Sequence, residues 1–304
     1  MSEPELSKVE MNNAEIKELQ RIVALNEIPS LNLMLLRAAV TRKQKQPVPK
    51  FGDLELRVKG SKVDREALAK YNKVCGLPDA DTLPLTYPSV MGFPLLIKAL
   101  TEPEFPFGAM GNIHLSNKIV QQRPIKIDEV LDFEVSFGDH TEVAKGYVIT
   151  LKSRVKIAGE PVWSSESTML VKAETAAADN VSRIRSQEPD YQNSELWELS
   201  SSLGREYASV SGDYNPIHLW PQTAKLMGLK GHIMHGMWTK ARALATLMPT
   251  SPERPVTVDV AFKLPVFLPA TVSLHWANDE QGGQFAVKDK KGRRPHMVGT
   301  ISFQ

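Results

Sequence analysis

The stretch from Gly111 to Lys172 constrains the fold most tightly. It holds four runs in which apolar and polar residues alternate: NIHLSNKIVQ, EVLDFEVSF, KGYVITLKSRVKI and VWSSESTMLVK. A period of two puts one face of each run in a core and the other in water, which is the pattern of a half-buried strand. Turn-prone residues, Gly138-Asp139 and Gly159-Glu160-Pro161, separate the runs. Connections this short join antiparallel neighbours, so the stretch predicts a meander of long antiparallel strands.

Helical sequence precedes the meander. VDREALAKYNKV, residues 63–74, is amphipathic, and an apolar helix is expected to begin where Pro94 follows Gly92. LELRVKG, residues 54–60, alternates and reads as a strand. The same order then recurs. A short helix leads through Tyr207, an apolar helix opens near Gly236, and strands fill 255–303 (RPVTVDVAFKLPVF, ATVSLHWAND, GQFAVKDKK, HMVGTISF). A weak internal repeat accompanies it. Tyr71-x-x-x-Cys75-Gly76 parallels Tyr207-x-x-x-Ser211-Gly212, and Met91-Gly92-Phe93 parallels His235-Gly236-Met237. The predicted class is α+β with two related halves.

This order divides the chain into a leader (1–50), a first domain (51–172), a linker (173–194) and a second domain (195–304). The leader is polar, with weak helical character through Ile16, Leu19, Ile22 and Val23, and its start is expected to be disordered. LNLMLLRAAV, residues 31–40, is either a first strand or a packed helix, and is too short to span a bilayer. TRKQKQPVPK reads as a basic, proline-punctuated connector. AETAAADNVSRIRSQEPDYQNS is polar without period, hence the linker.

The richest chemistry lies in YASVSGDYNPIHLWPQTAKLMGLKGHIMHGMWTKARALATLM, residues 207–248. Asp213, Asn215 and His218 place an acid, an amide and an imidazole within six residues. Asn215-Pro216 is a strong helix start, so His218 is expected in a first helical turn, where the dipole disfavours its charged form. A neutral imidazole can accept or relay a proton. Gly236, just before an apolar run, is expected to open a helix whose first amide can stabilise an oxyanion. In isolation, Ser-Gly-Asp-x-Asn-Pro is a common turn. The wider pattern argues against that reading.

SGDYNPIH, Ala224 and IMHGM together resemble the signature of the MaoC-like dehydratases, the (R)-specific enoyl-thioester hydratases called hydratase 2. The resemblance implies tandem hot-dog domains, each an antiparallel sheet wrapped round a long central helix, fused as a pseudo-dimer. It implies reversible syn hydration of a trans-2-enoyl thioester to a (3R)-3-hydroxyacyl thioester. Asp213 and His218 are then expected to hold and activate water, Asn215 to position the site, and the Gly236 amide to bind the thioester oxygen. Ser211, Gly212, His235 and Met237 are expected to line the substrate site. Trp220 departs from the polar cap many relatives carry before Pro221.

The first copy lacks the motif. Leu77-Pro78 follow Gly76 where the second copy has Asp213, and 16 residues join Gly76 to Gly92 against 24 from Gly212 to Gly236. By resemblance this degenerate half holds the acyl tail, and its shorter segment is expected to leave a wider slot for longer or bulkier acyl groups.

Other features are less specific. His232 and His235 are three apart, but no further ligand follows at zinc-like spacing, so no metal is expected. His235 is read instead as fixing the turn before Gly236. Lys288, Lys290, Lys291, Arg293 and Arg294 bracket Gly292 in a predicted hairpin, which is either a solvated turn or, through Lys291 and Arg293, a contact for the phosphates of coenzyme A or an acyl carrier protein. Walker, dinucleotide and serine-elbow motifs are absent, so no cofactor is expected beyond the substrate's carrier.

Net charge is +2, which gives no argument for nucleic acid or membranes. The single cysteine, Cys75, fits a reducing cytoplasm. A soluble cytoplasmic protein, with a homodimer of the double unit open, is the expectation. A hot-dog thioesterase and a non-catalytic acyl-thioester binding protein are the competing readings.

Overall fold

The computed structural model describes residues 20–41, 49, 51–175, 177 and 189–304. The first half contains β1 (Arg21–Leu25), α1 (Leu31–Val40), β2 (Leu54–Ser61), α2 (Arg65–Cys75), α3 (Tyr87–Met91), α4 (Phe93–Leu100), β3 (Ile113–Gln121), β4 (Leu131–Val143), β5 (Gly146–Ile157) and β6 (Glu160–Lys172). The second contains β7 (Asn193–Leu199), α5 (Leu203–Ser211), a 3-10 turn (Pro216–His218), α6 (Pro221–Leu226), α7 (Gly236–Leu247), β8 (Val256–Phe262), β9 (Ala270–Asp279), β10 (Gly282–Asp289) and β11 (Pro295–Phe303).

Alternation does what the pleat requires: in β4 it buries Leu131, Phe133 and Val135 on one face. The strands form one sheet in the order β1-β2-β4-β5-β6-β3-β8-β11-β10-β9-β7. All pairs are antiparallel except β1 with β2. The order repeats: β2-β4-β5-β6-β3 is matched by β7-β9-β10-β11-β8 when each strand is replaced by its counterpart. The copies join back to back through β3 and β8, with Asn117 opposite Val260 and Ile119 opposite Val258.

The repeated glycines mark equivalent joints. Gly76 and Gly212 end α2 and α5 with φ of 69° and 78°, left-handed values that glycine adopts without strain. Tyr71 and Tyr207 stand on those helices with rings 6.2 Å apart. One apolar cluster runs through both halves, including Phe133, Trp163, Trp238 and Phe285. A second, with Ile97, Leu100, Phe105, Ile149 and Leu151, is confined to the first half.

Several expectations change. Ile22 and Val23 lie on strand β1, because pairing with β2 supplies hydrogen bonds that a short isolated helix could not. LNLMLLRAAV is the helix α1, burying Met34 and Ala38. Gly138-Asp139 is not a turn: β4 continues through it with an irregularity in its pairing to β5 between Phe137 and His140. The last two residues of the supposed linker, Asn193 and Ser194, begin β7, whose pairing with β9 was not foreseen. Ile16, Leu19, most of the basic connector and most of the linker lie outside the described residues.

Candidate active site

Asn215 caps the 3-10 turn, its side-chain oxygen accepting from Ile217 N at 3.4 Å. That turn carries His218 inward. His218 Nδ1 lies 2.8 Å from the Ile233 carbonyl, which only accepts, so Nδ1 carries the proton and Nε2 is left with a lone pair. Burial holds this imidazole below its ordinary pKa, opposed by the nearby Asp213 charge. The turn is one 3-10 loop of three residues, so desolvation, rather than the expected helix dipole, keeps the ring neutral.

Asp213 follows the Gly212 cap. Its Oδ1 accepts from Asn215 N at 3.2 Å, and its backbone N donates to Ser211 Oγ at 3.3 Å. His235 Nε2 donates to the Asp213 carbonyl at 2.9 Å, which ties the acid's backbone to the start of α7 as the sequence suggested. The His218 and His235 rings stack with centroids 3.7 Å apart. Burial, reinforced by His218, pushes His235 well below the ordinary histidine pKa.

Gly236 occupies the first position of α7, where a backbone N–H has no partner within the helix. Its counterpart in the first half differs: the Gly92 amide donates to Pro88 O at 3.0 Å. A Cβ at Gly236 would stand 2.7 Å from the Phe262 ring. Glycine is needed there for close approach.

These groups open on a cavity of about 540 Å³. Ser211, Asp213, Asn215, His218, His235, Gly236 and Met237 line it. The first half contributes Phe93, Leu96, Ile97, Leu100, Met110 and Met169. The volume lies within the range of small-molecule sites. The acid, imidazole and glycine amide therefore share one chamber, bounded on the other side by apolar side chains of the motif-less half.

Three expected site residues fall elsewhere. Gly212 does not border the cavity; a Cβ there would meet Leu31 at 2.6 Å, so its smallness admits α1. Lys291 and Arg293 are exposed in the β10–β11 hairpin and do not border the cavity either. Lys288 is buried, with its ammonium 4.8 Å from the Tyr191 ring, so it is no part of a solvated basic turn. Trp220 lacks a capping side chain, as noted, but Arg205 lies 3.8 Å over its ring.

The histidine pair weighed as metal ligands is split. His232 Nε2 donates to Ser201 O at 2.9 Å, away from His235's partner. The fold instead gathers Asp213, His218 and His235, whose donor atoms lie within 4.8 Å of one another. Sequence spacing could not reveal that trio, because its convergence depends on the Ile233 and Asp213 carbonyls.

Comparison with known proteins agrees with this geometry. Residues 184–299 match the model of the MaoC like domain. Over 240 residues the chain is 32% identical to the 3-hydroxyacyl-thioester dehydratase X of Mycobacterium tuberculosis, covering 79% of this chain and 85% of that protein. The chain belongs to the MaoC-like dehydratase family. The crystal structure of HtdX from M. tuberculosis matches this family member with a TM-score of 0.72 at 31% identity, covering 82% of this chain and 100% of the other. A MaoC-like dehydratase from Phytophthora capsici matches in fold, with a TM-score of 0.67 at 16% identity over 82% and 95% of the two chains. Among the described residues no helix is long and apolar enough to cross a membrane.

The sequence also overlooked polar groups on the cavity wall: His114, Ser89, Ser153, Ser165 and Ser167. One signal was available. The alternation in VWSSESTMLVK sets Ser165 and Ser167 on the same inward face as Trp163, Met169 and Val171.

Proposed function

We propose that this protein catalyses the reversible hydration of trans-2-enoyl thioesters to (3R)-3-hydroxyacyl thioesters. The observation that supports the reading is that Asp213, Gly236 and a His218 whose Nε2 is left with a lone pair all line one cavity. The two halves are read as tandem hot-dog units, 51–172 and 195–304, in a pseudo-dimer. Their repeated strand order supports this.

Water held between Asp213 and His218 attacks C3 of the enoyl group. His218 Nε2 takes the water proton, and charge moves to the thioester oxygen, where the Gly236 N–H receives it. The enolate then takes that proton back from His218 at C2, on the face the water attacked, which gives syn addition and restores the neutral imidazole. Asp213 holds the second water hydrogen throughout. The thioester acidifies the C2 proton, and the protein supplies the proton carrier and the oxyanion donor, so this reading asks for no metal or redox group.

The apolar side chains of the first half take the acyl tail. The carrier is coenzyme A or acyl carrier protein, both of which place a phosphopantetheine thioester at the mouth. The test is a spectrophotometric hydration assay across enoyl-CoA chain lengths with chiral analysis of the product. Loss of the enoyl absorbance with a 3R product is expected. Release of free thiol instead would make the protein a thioesterase, and binding without loss of absorbance a non-catalytic carrier.

A further inference from the structure

The part of the cavity formed by the first half is not uniformly apolar. Ser153, Ser165 and Ser167 are all buried, on the facing strands β5 and β6, and all three line the cavity. They lie between the two apolar clusters: Val155 and Trp163 on one side, Leu151, Ile149 and Val171 on the other. Ser153 and Ser165 are direct cross-strand neighbours.

The hydroxyls are oriented from behind. Lys240, fully buried on α7, donates to Asn117 Oδ1 at 2.6 Å, Asn117 O at 3.0 Å and Val258 O at 3.1 Å. That fixes the Asn117 amide, whose nitrogen donates to Ser165 Oγ at 2.8 Å and Ser167 Oγ at 3.1 Å. Both serine oxygens are thereby used as acceptors. Their hydroxyl protons have no acceptor in any side-chain hydrogen bond among the described residues.

Two further buried atoms on the same wall lack partners altogether: Ser89 Oγ and His114 Nε2. His114 stands on β3, which pairs with β6 here, His114 opposite Met169 and Asn117 opposite Ser167. Burial pushes this imidazole down to about 4, so it is neutral, and its Nε2 is buried without a hydrogen-bond partner on a residue that lines the cavity. Buried polar groups are normally satisfied, and an alkyl chain lying across these would leave them unmatched.

We infer that the wall formed by Ser89, His114, Ser153, Ser165 and Ser167 is a subsite for an oxygen substituent on the acyl chain, and that the substrates are enoyl thioesters bearing a chain hydroxyl. A hydroxyl donates and accepts at once, as this mixed set of groups requires; a methylene does neither. This inference rests on the hydration reading above.

The experiment compares kcat/KM for trans-2-decenoyl-CoA with that for its singly hydroxylated chain analogues, internal and terminal. It uses the wild type, Ser89→Ala, Ser153→Ala and His114→Phe. Ser89 and Ser153 make no side-chain hydrogen bond among the described residues, so their removal leaves the Lys240–Asn117 network intact. At least one hydroxylated analogue is expected to exceed the plain chain by about tenfold, with the ratio collapsing towards one in the variants. Hydration of the plain chain with no preference in the wild type would overturn the subsite and leave the hydratase reading standing. No turnover of any enoyl thioester would overturn both.

Discussion

His218 and His235 stack at 3.7 Å, and each ring is pinned by a backbone carbonyl, Ile233 O for one and Asp213 O for the other. The two carbonyls fix opposite tautomers: His218 keeps its lone pair on Nε2, His235 on Nδ1. The stack orients the His218 ring, to which the proposed mechanism gives the proton, and the second bond sets the backbone of Asp213 beside it. Asp213, His218 and His235 form one structural unit.

Removing either partner of that unit should therefore cost most of the activity. Asp213→Asn and His218→Ala are each expected to lower kcat by roughly 10²–10⁴, because one removes the carboxylate that holds the attacking water and the other removes the group that carries its proton. Steady-state hydration kinetics on a single enoyl-CoA checks this. Near-normal turnover in both variants would refute the roles.

Gly236 predicts a steric effect. A Cβ there meets Phe262 at 2.7 Å, and that ring lines the cavity that the thioester would fill. Gly236→Ala is expected to lower kcat/KM by about 10², the size of effect that a displacement near 1 Å produces. A companion Phe262→Leu change should restore part of it. No recovery in the double variant would point away from the ring.

The buried histidines predict acid sensitivity. Burial lowers His218, His235 and His114 from 6.5, His114 to about 4. Below 6.5 the unfolded chain binds protons that the fold does not, so stability is complete above 6.5 and falls as the pH drops towards 4. For His114 alone the loss amounts to about 3 kcal/mol. Urea midpoints measured on both sides of 6.5 should show a shallower pH slope for His114→Phe than for the wild type. The acid limb of kcat/KM should also lie below 6.5, because His218 stays neutral there.

Asp213, His218 and His235 lie close enough together to suit a metal, yet the proposed reaction uses Asp213 and His218 on water and proton, with His235 as their support. Exhaustive chelation is expected to leave the hydration rate unchanged. Loss of activity restored by a divalent cation would assign the trio to a metal instead.

Much of this was legible in the residues. Period-two alternation forecast β3 to β6 and β8 to β11, the amphipathic stretch 63–74 forecast α2, and Pro94 after Gly92 marked the start of α4. β7 was missed because Asn193–Leu199 holds few residues and its strand state comes from pairing with β9. Lys291 and Arg293 stand outside the cavity; charge in a turn says nothing of which cavity it faces.

The sequence by itself determined the local pieces: which segments alternate, where helices begin, and that Asp213, Asn215, His218 and Gly236 sit at spacings that suit this chemistry. Only the tertiary structure decided their convergence, which nitrogen of His218 is free, and that Lys240 reaches across the β3–β8 seam to Asn117, which in turn holds the serines. Local propensity acts over a few residues. Burial and hydrogen-bond direction are set by groups as far apart in the chain as Asn117 and Lys240, and they exist only after the halves have closed.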